Sequence, residues 1–173
     1  MVEIAKKIFI NENLADADLI TTQRFFLNFW ITRDALNPEA AWTYYLGQVA
    51  KVNKLYSTPV LLGYDTDRGR VYLKYGPPNI ISESYNEPSA YPYEIWQYYS
   101  LANNQRNKKF VFYTEDIVTN NFQLVHSDAI GEISNYRWQV IIHKRIYDPN
   151  NLDEDRYPDV WGSKVNDYYN NPR

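Results

Sequence analysis

Apolar positions recur along this chain with two different periods, and the change from one to the other divides it. From Asp18 to Asp34 the spacing is helical: Phe25 and Phe29 lie four apart, as do Phe26 and Trp30, so two aromatic pairs share one broad face. Arg33 follows Phe29 by four positions and Trp30 by three, at the margin of that face. Asn37-Pro38-Glu39 then reads as a helix start. Asn37 caps, Pro38 suits the first turn and Glu39 complements the helix dipole. This second helix runs to Tyr56, with Trp42, Tyr45, Leu46, Val49, Val52 and Tyr56 in helical spacing and Thr43, Gln48, Lys51 and Lys54 off that face. The short Ala35–Pro38 connection makes the two helices neighbours.

After Pro59 the period falls to two. Val71, Leu73 and Tyr75 alternate with Arg70, Tyr72 and Lys74, which predicts a strand with one buried face. Gly76-Pro77-Pro78 stops it, because two prolines cannot donate to a ladder. Tyr93–Tyr99, Lys109–Thr114 and Phe122–Ser127 read as three further strands, with Asn103–Asn107 as a polar turn. Short connections between them favour an antiparallel meander. The stretch 135–147 is read as helix on its Asn135 cap, against the β-branched Val140, Ile141 and Ile142. Residues 1–17 are weakly patterned, and Ile4, Ile8 and Phe9 suit a short helix or a strand equally. From Asp148 the chain is rich in Asn, Asp, Tyr and Pro and reads as an irregular tail. The expected fold class is α+β: one domain over 1–173, an N-terminal helical pair packed on an antiparallel sheet of about four strands. Phe26, Trp30, Trp42, Leu73 and Ile95 are expected to share its core.

Composition changes this picture in a few places. Lys and Arg number 18 against 21 Asp and Glu, a net charge of −3, which argues against a nucleic-acid binder. Cysteine is absent, which removes disulfides, thiolate metal sites and Cys nucleophiles together; His126 and His143 are too few for a His-rich metal site. No metal and no cofactor is expected. No apolar run approaches the ~18 residues that suggest a membrane span. The 17 Tyr, 5 Trp and 7 Phe are a surplus that either fills a core or is exposed at interfaces. The N-terminus lacks the succession of a signal peptide, and Met1 is the only Met, so the natural protein is expected to extend upstream.

Few segments carry residues suited to chemistry. Asp65-Thr66-Asp67 has the alternating carboxylates that open a calcium loop, but Arg68-Gly69 interrupts it where further oxygen ligands belong. The structural reading is that Asp67 bonds the loop backbone, Gly69 takes a positive φ and Arg68 pairs with a nearby carboxylate. His126-Ser127-Asp128 has the residue types of a hydrolase triad in the wrong arrangement, since neighbours on a strand face opposite ways. His126 is read as a strand-end side chain bonded to a loop. Glu132 with Asp128, or Glu94 with Asp65, are the carboxylate pairs that glycoside chemistry would need. Asp153-Glu154-Asp155 beside Arg156 reads as a solvated tail. No residue is assigned a catalytic role. Arg33 or Arg68 is expected to pair with Asp67 or Asp34, partly buried, and to hold the helices on the sheet.

Thr66-Asp67-Arg68-Gly69-Arg70-Val71-Tyr72, Tyr75-Gly76-Pro77-Pro78 and Tyr93-Glu94-Ile95-Trp96 together resemble the bacterial GWxTD domain family. Phe29-Trp30 with Arg33-Asp34 upstream, and Phe110-Val111-Phe112 with Leu124-Val125-His126-Ser127 downstream, match further elements of that family. The name-giving Trp is Tyr64 here, after Gly63. The resemblance implies no established activity. It implies a cell-envelope protein of a Gram-negative bacterium, of which this chain is a C-terminal domain. A looser, fold-level similarity is to the small lipoprotein of the outer-membrane barrel-assembly machinery, a protein-binding module. The expected function is a non-catalytic interaction domain that binds a protein partner or docks upstream domains of its own chain. The alternative is a glycan-binding or glycan-cleaving module using Tyr64, Tyr72, Trp96 and Tyr98 as an aromatic surface.

Overall fold

Asp18 starts the first helix by accepting the Thr21 N–H at 3.0 Å on its carboxylate. The computed structural model describes residues 17–143 and 163–173, and α1 spans Leu19–Ile31. Asp34 accepts the N–H groups of Leu36 and Asn37 in the turn that follows. Asn37 caps α2, Pro38–Tyr56, by accepting the Ala40 N–H. Both helices thus lie where periodicity and caps put them. The chain divides into two compact units between Gln48 and Val49, inside α2.

The first unit is organised around Trp30, the buried side chain of α1. Its ring centroid lies 5.3 Å from Trp42, 5.5 Å from Tyr45 and 6.3 Å from Phe26, distances at which aromatic edges and faces attract.

In the second unit, residues 67–75 correct the sequence reading. They form a helix, α3 (Asp67–Tyr75), where alternation predicted a strand. Thr66 caps it and Gly76, at φ 83°, ends it. A four-stranded antiparallel sheet follows in the order β1-β2-β3-β4, with β1 Ile80–Ser84, β2 Tyr93–Leu101, β3 Gln105–Tyr113 and β4 Gln123–Ser127. β1 comes after the two prolines rather than before them. The turn between β2 and β3 is tighter than expected, with Asn103 and Asn104 at positive φ just before Gln105.

Both faces of the sheet are covered. Trp96, Tyr98, Phe110, Phe112 and Leu124 share a core with Val52 and Tyr56 of α2 and Val71 and Tyr72 of α3. Tyr93, Ile95, Val111 and Val125 take the opposite parity and pack with Trp138 and Ile142 of α4, Trp138–Ile142, and Val165 of α5, Val165–Asn170. Leu73 and Ile95 therefore belong to separate clusters rather than to one core. Residues 163–173 are not an irregular tail throughout: α5 packs on the second face, and the Arg173 backbone exchanges hydrogen bonds with the Ser82 hydroxyl. The expectations for Ile4, Ile8 and Phe9, and for Asp153-Glu154-Asp155 with Arg156, lie outside the described residues.

Candidate functional site

The segment from Gly63 to Gly76 concentrates the distinctive sequence, and Thr66, Arg68, Val71 and Tyr72 face inward. Gly63–Asp65 forms a single 3₁₀ turn. Its entry is tied to α2: the Gly63 N–H donates to Ser57 Oγ at 2.9 Å and the Tyr64 N–H to Asn53 Oδ1 at 3.1 Å. A Cβ on Gly63 would sit 2.3 Å from the Val52 carbonyl oxygen, and one on Gly69 would sit 1.8 Å from the Gly63 carbonyl oxygen. Close backbone approach, not a positive φ, therefore demands glycine at position 69. Thr66 joins the two segments. Its hydroxyl donates to the Gly63 carbonyl at 2.7 Å and accepts the Gly69 N–H at 3.1 Å.

Asp67 and Arg68 then reach in different directions. Asp67 accepts the Leu124 N–H of β4 at 2.8 Å, rather than bonding its own loop. Arg68 is buried: its Nη1 donates to Glu94 Oε1 at 2.7 Å, and each of the two side chains is 5% exposed. Its Nη2 donates to both the carbonyl and the Oδ1 of Asn120, at 2.9 and 3.0 Å. The guanidinium lies 4.2 Å over the Phe122 ring. The Trp96 indole N–H donates to Glu94 Oε2 at 2.9 Å. Glu83 stands opposite Glu94 on β1. The Tyr85 hydroxyl lies 2.8 Å from Glu83 and 2.9 Å from Glu94, and with one proton it donates to one of them at a time. Burial, then the charge of Glu94, pushes the Tyr85 hydroxyl above its ordinary range. At the end of α3, the Gly76 carbonyl accepts the Tyr98 hydroxyl proton at 2.9 Å, and Pro77 follows the cap.

The exposed side of α3 holds a second charge cluster. Arg70, Lys74 and Tyr75 all donate to Glu132, at 2.9, 2.6 and 2.8 Å. Burial alone would raise the Glu132 carboxyl, but these three bonds override it and hold it down at about 2, against an ordinary 4.5.

Several expected site residues are placed differently. Tyr72, Trp96 and Tyr98 are buried at 4%, 0% and 2% exposure and form no binding surface; Tyr64 is exposed. They are buried because α2 and α3 cover that face of the sheet. The expected pairing among Arg33, Asp34, Asp67 and Arg68 does not form. The Arg33 guanidinium lies 3.4 Å over the Phe29 ring and donates to the Phe29 carbonyl, Asp34 organises the turn before α2, and Arg68 goes to Glu94 instead. His126 and Ser127 hold different partners. His126 Nδ1 accepts the Asn135 N–H and Nε2 faces the Tyr169 hydroxyl, while Ser127 donates to the Lys109 carbonyl. Glu94 and Glu132 are both engaged by cations, which removes the free carboxylate that either glycoside pair required. Asn120 and Tyr85 carry no motif in the sequence, but Asn120 sits at positive φ in an Asn-Asn pair, and that pair is a turn signal.

The family model of the GWxTD domain matches residues 8–144. The chain belongs to the GWxTD domain family. No curated protein and no solved structure matches it, so the looser likeness to the barrel-assembly lipoprotein carries no argument. In this GWxTD domain the naming motif has a physical account. Gly63 permits contact with α2, the position-64 backbone ties to Asn53, Thr66 caps α3, and Asp67 holds β4. Only the ring of Tyr64 is left facing outward. Among the described residues no group of three or more His, Asp or Glu is placed to hold a metal ion, and no helix is long and apolar enough to cross a membrane.

Proposed function

We propose that this GWxTD domain is a non-catalytic docking module of a Gram-negative cell-envelope protein, engaging a protein partner or other domains of its own chain. The envelope location rests on the family resemblance. The docking role rests on one observation: the helical first unit carries Leu19, Ile20, Leu27, Leu36, Tyr44 and Leu46 exposed to solvent. On α1, Ile20, Leu27 and Ile31 recur seven and eleven positions apart and form one stripe along the helix. Apolar surface of this density next to Trp and Tyr suits contact with another protein surface. The signature residues of the second unit support the same reading, because Gly63, Thr66, Asp67 and Arg68 direct hydrogen bonds to groups of the protein itself. The glycan alternative is left with Tyr64 alone of its four rings.

The test is affinity capture of the full-length protein from envelope extract, with cross-linking mass spectrometry to detect contacts within the chain. Ile20→Asp with Leu27→Asp is expected to abolish the recovered partner or intramolecular contact while the melting temperature of the domain stays within a few degrees. Undiminished contacts in that variant, or saturable binding on a glycan array, would overturn the reading.

A further inference from the structure

The loop 114–122, between β3 and β4, is built with unusual care for a surface connection. Thr114 and Asp116 exchange hydrogen bonds, Asp116 Oδ1 accepts the Val118 N–H, and Thr119 donates back to the Asp116 carbonyl. Arg68 pins Asn120 from below through two hydrogen bonds. Two cavities flank the neighbouring residues. One, of about 280 Å³, has an apolar wall of Pro59, Val60 and Leu61. The other, of about 230 Å³, is walled by Tyr113 and the carboxylate residues Glu115 and Asp116. Thr119 and Asn121 line both, and among the described residues no Lys or Arg lines either. Together they reach the lower end of the ~300–1,000 Å³ typical of ligand pockets.

We propose that these two cavities form one groove for an extended peptide segment that carries an aliphatic side chain two residues from a Lys or Arg. The aliphatic group fills the compartment against Pro59, Val60 and Leu61. The cation enters the compartment of Glu115 and Asp116, where it meets two carboxylates and no competing positive charge. On the shared wall, Asn121 offers its amide to the peptide's main chain, and the Thr119 hydroxyl oxygen, whose proton goes to the Asp116 carbonyl, is left to accept. In an extended chain residues i and i+2 share a face and lie roughly 6.6 Å apart, so an aliphatic residue and a cation two positions along enter the two compartments from one side. The Arg68–Glu94 pair acts here at a distance: by fixing Asn120 it holds the shared wall in place before any ligand arrives, which lowers the ordering cost of binding. The groove lies wholly within the second unit, apart from the exposed residues of the first unit that carry the docking reading, so its failure leaves that reading untouched.

Fluorescence anisotropy of the 173-residue chain with a labelled acetyl-(Val-Ser-Lys-Ser)₂-amide peptide, in which Val and Lys share a face, tests this. Saturable binding is expected, weakened about tenfold or more for (Val-Ser-Glu-Ser)₂, which reverses the charge, and for (Ser-Ser-Lys-Ser)₂, which removes the aliphatic group. Glu115→Gln and Val60→Asp alter exposed walls and are each expected to weaken binding at an unchanged melting temperature. Asp116 is spared because it holds the loop together. Absence of saturable (Val-Ser-Lys-Ser)₂ binding overturns the proposal. So does binding equally strong for (Ser-Ser-Lys-Ser)₂ and unaffected by Val60→Asp, since that would be charge attraction without a groove.

Discussion

Arg68 and Glu94 meet at 2.7 Å from positions 26 residues apart, and among the described residues neither has another partner of opposite charge. A buried pair of this kind is worth little over an apolar pair of the same shape, but leaving either charge alone is expensive. Arg68→Met strands Glu94, and Glu94→Leu strands Arg68. Each is expected to cost about 3–5 kcal/mol in urea denaturation. The double variant is expected to be more stable than either single one, and the amount by which its loss falls short of the sum of the two single losses is the coupling between the two side chains. Additive losses would mean that each residue acts through separate neighbours.

Two of the signature glycines, Gly69 and Gly76, are expected to differ in sensitivity. Gly69→Ala drives a Cβ to 1.8 Å from a carbonyl oxygen, whereas at Gly76 a Cβ meets nothing within 4 Å and only the φ of +83° resists it. Gly76→Ala therefore carries backbone strain of about 1–3 kcal/mol. Gly69→Ala must push α3 away from the 3₁₀ turn, and its loss is expected to exceed about 4 kcal/mol. Melting curves of the two variants provide the ranking, and the reverse order would refute the close-approach account.

Acid should reveal Glu132. Its carboxyl is held at about 2 in the folded protein against 4.5 ordinarily, so on acidification the unfolded chain takes up the proton first. The stabilisation is fully present above about 4.5 and is lost as pH falls toward about 2. Glu132→Gln is expected to cost about 1–3 kcal/mol at pH 7, discounted because Arg70 and Lys74 are half-exposed. Its deficit relative to the parent should shrink between pH 4.5 and pH 2. A deficit constant with pH would place the effect in packing.

His126 adds a second pH response, nearer neutrality. Burial pushes its imidazole below 6.5, against the opposing pull of Asp128. Its Nδ1 already accepts the Asn135 N–H, so the neutral ring carries its proton on Nε2, toward the Tyr169 hydroxyl. Protonation would put two N–H groups face to face. The unfolded chain binds the proton more readily, so stability falls as pH drops below 6.5. The melting temperature is expected to decline in that window, and to decline less in His126→Phe, which keeps the ring beside Trp138.

The elements that sequence predicts well here are those with a strong local signal. Trp42, Tyr45, Val49, Val52 and Tyr56 repeat as only a helix does, and β2 to β4 are short runs rich in aromatic and β-branched residues whose burial on both faces removes the in–out alternation. Residues 67–75 mislead because a nine-residue helix whose buried positions include Arg68, Val71 and Tyr72 also carries a local alternation at 71, 73 and 75. Its end signals were better evidence than its interior: Thr66 before Asp67 is a start, and Gly76 before two prolines is a stop. The site was less legible. That Arg68 needs a carboxylate follows from chemistry, but that the carboxylate is Glu94 follows only once α3 is a helix lying against β2. The exposed reading of Tyr72, Trp96 and Tyr98 failed for the same reason.

Asp67 also bears on how the protein behaves in a crowd. Among the described residues β4 is the last strand of the sheet, with no strand on its outer side. Leu124 spends its N–H on the Asp67 carboxylate, and the Ser127 N–H goes to the Ile133 carbonyl at 2.7 Å. An incoming chain seeking to extend the sheet would find those donors taken, and a negative charge where its own carbonyl oxygen would have to lie. The aspartate that closes the family motif thus doubles as a barrier to runaway strand addition, the route by which sheet proteins template fibrils.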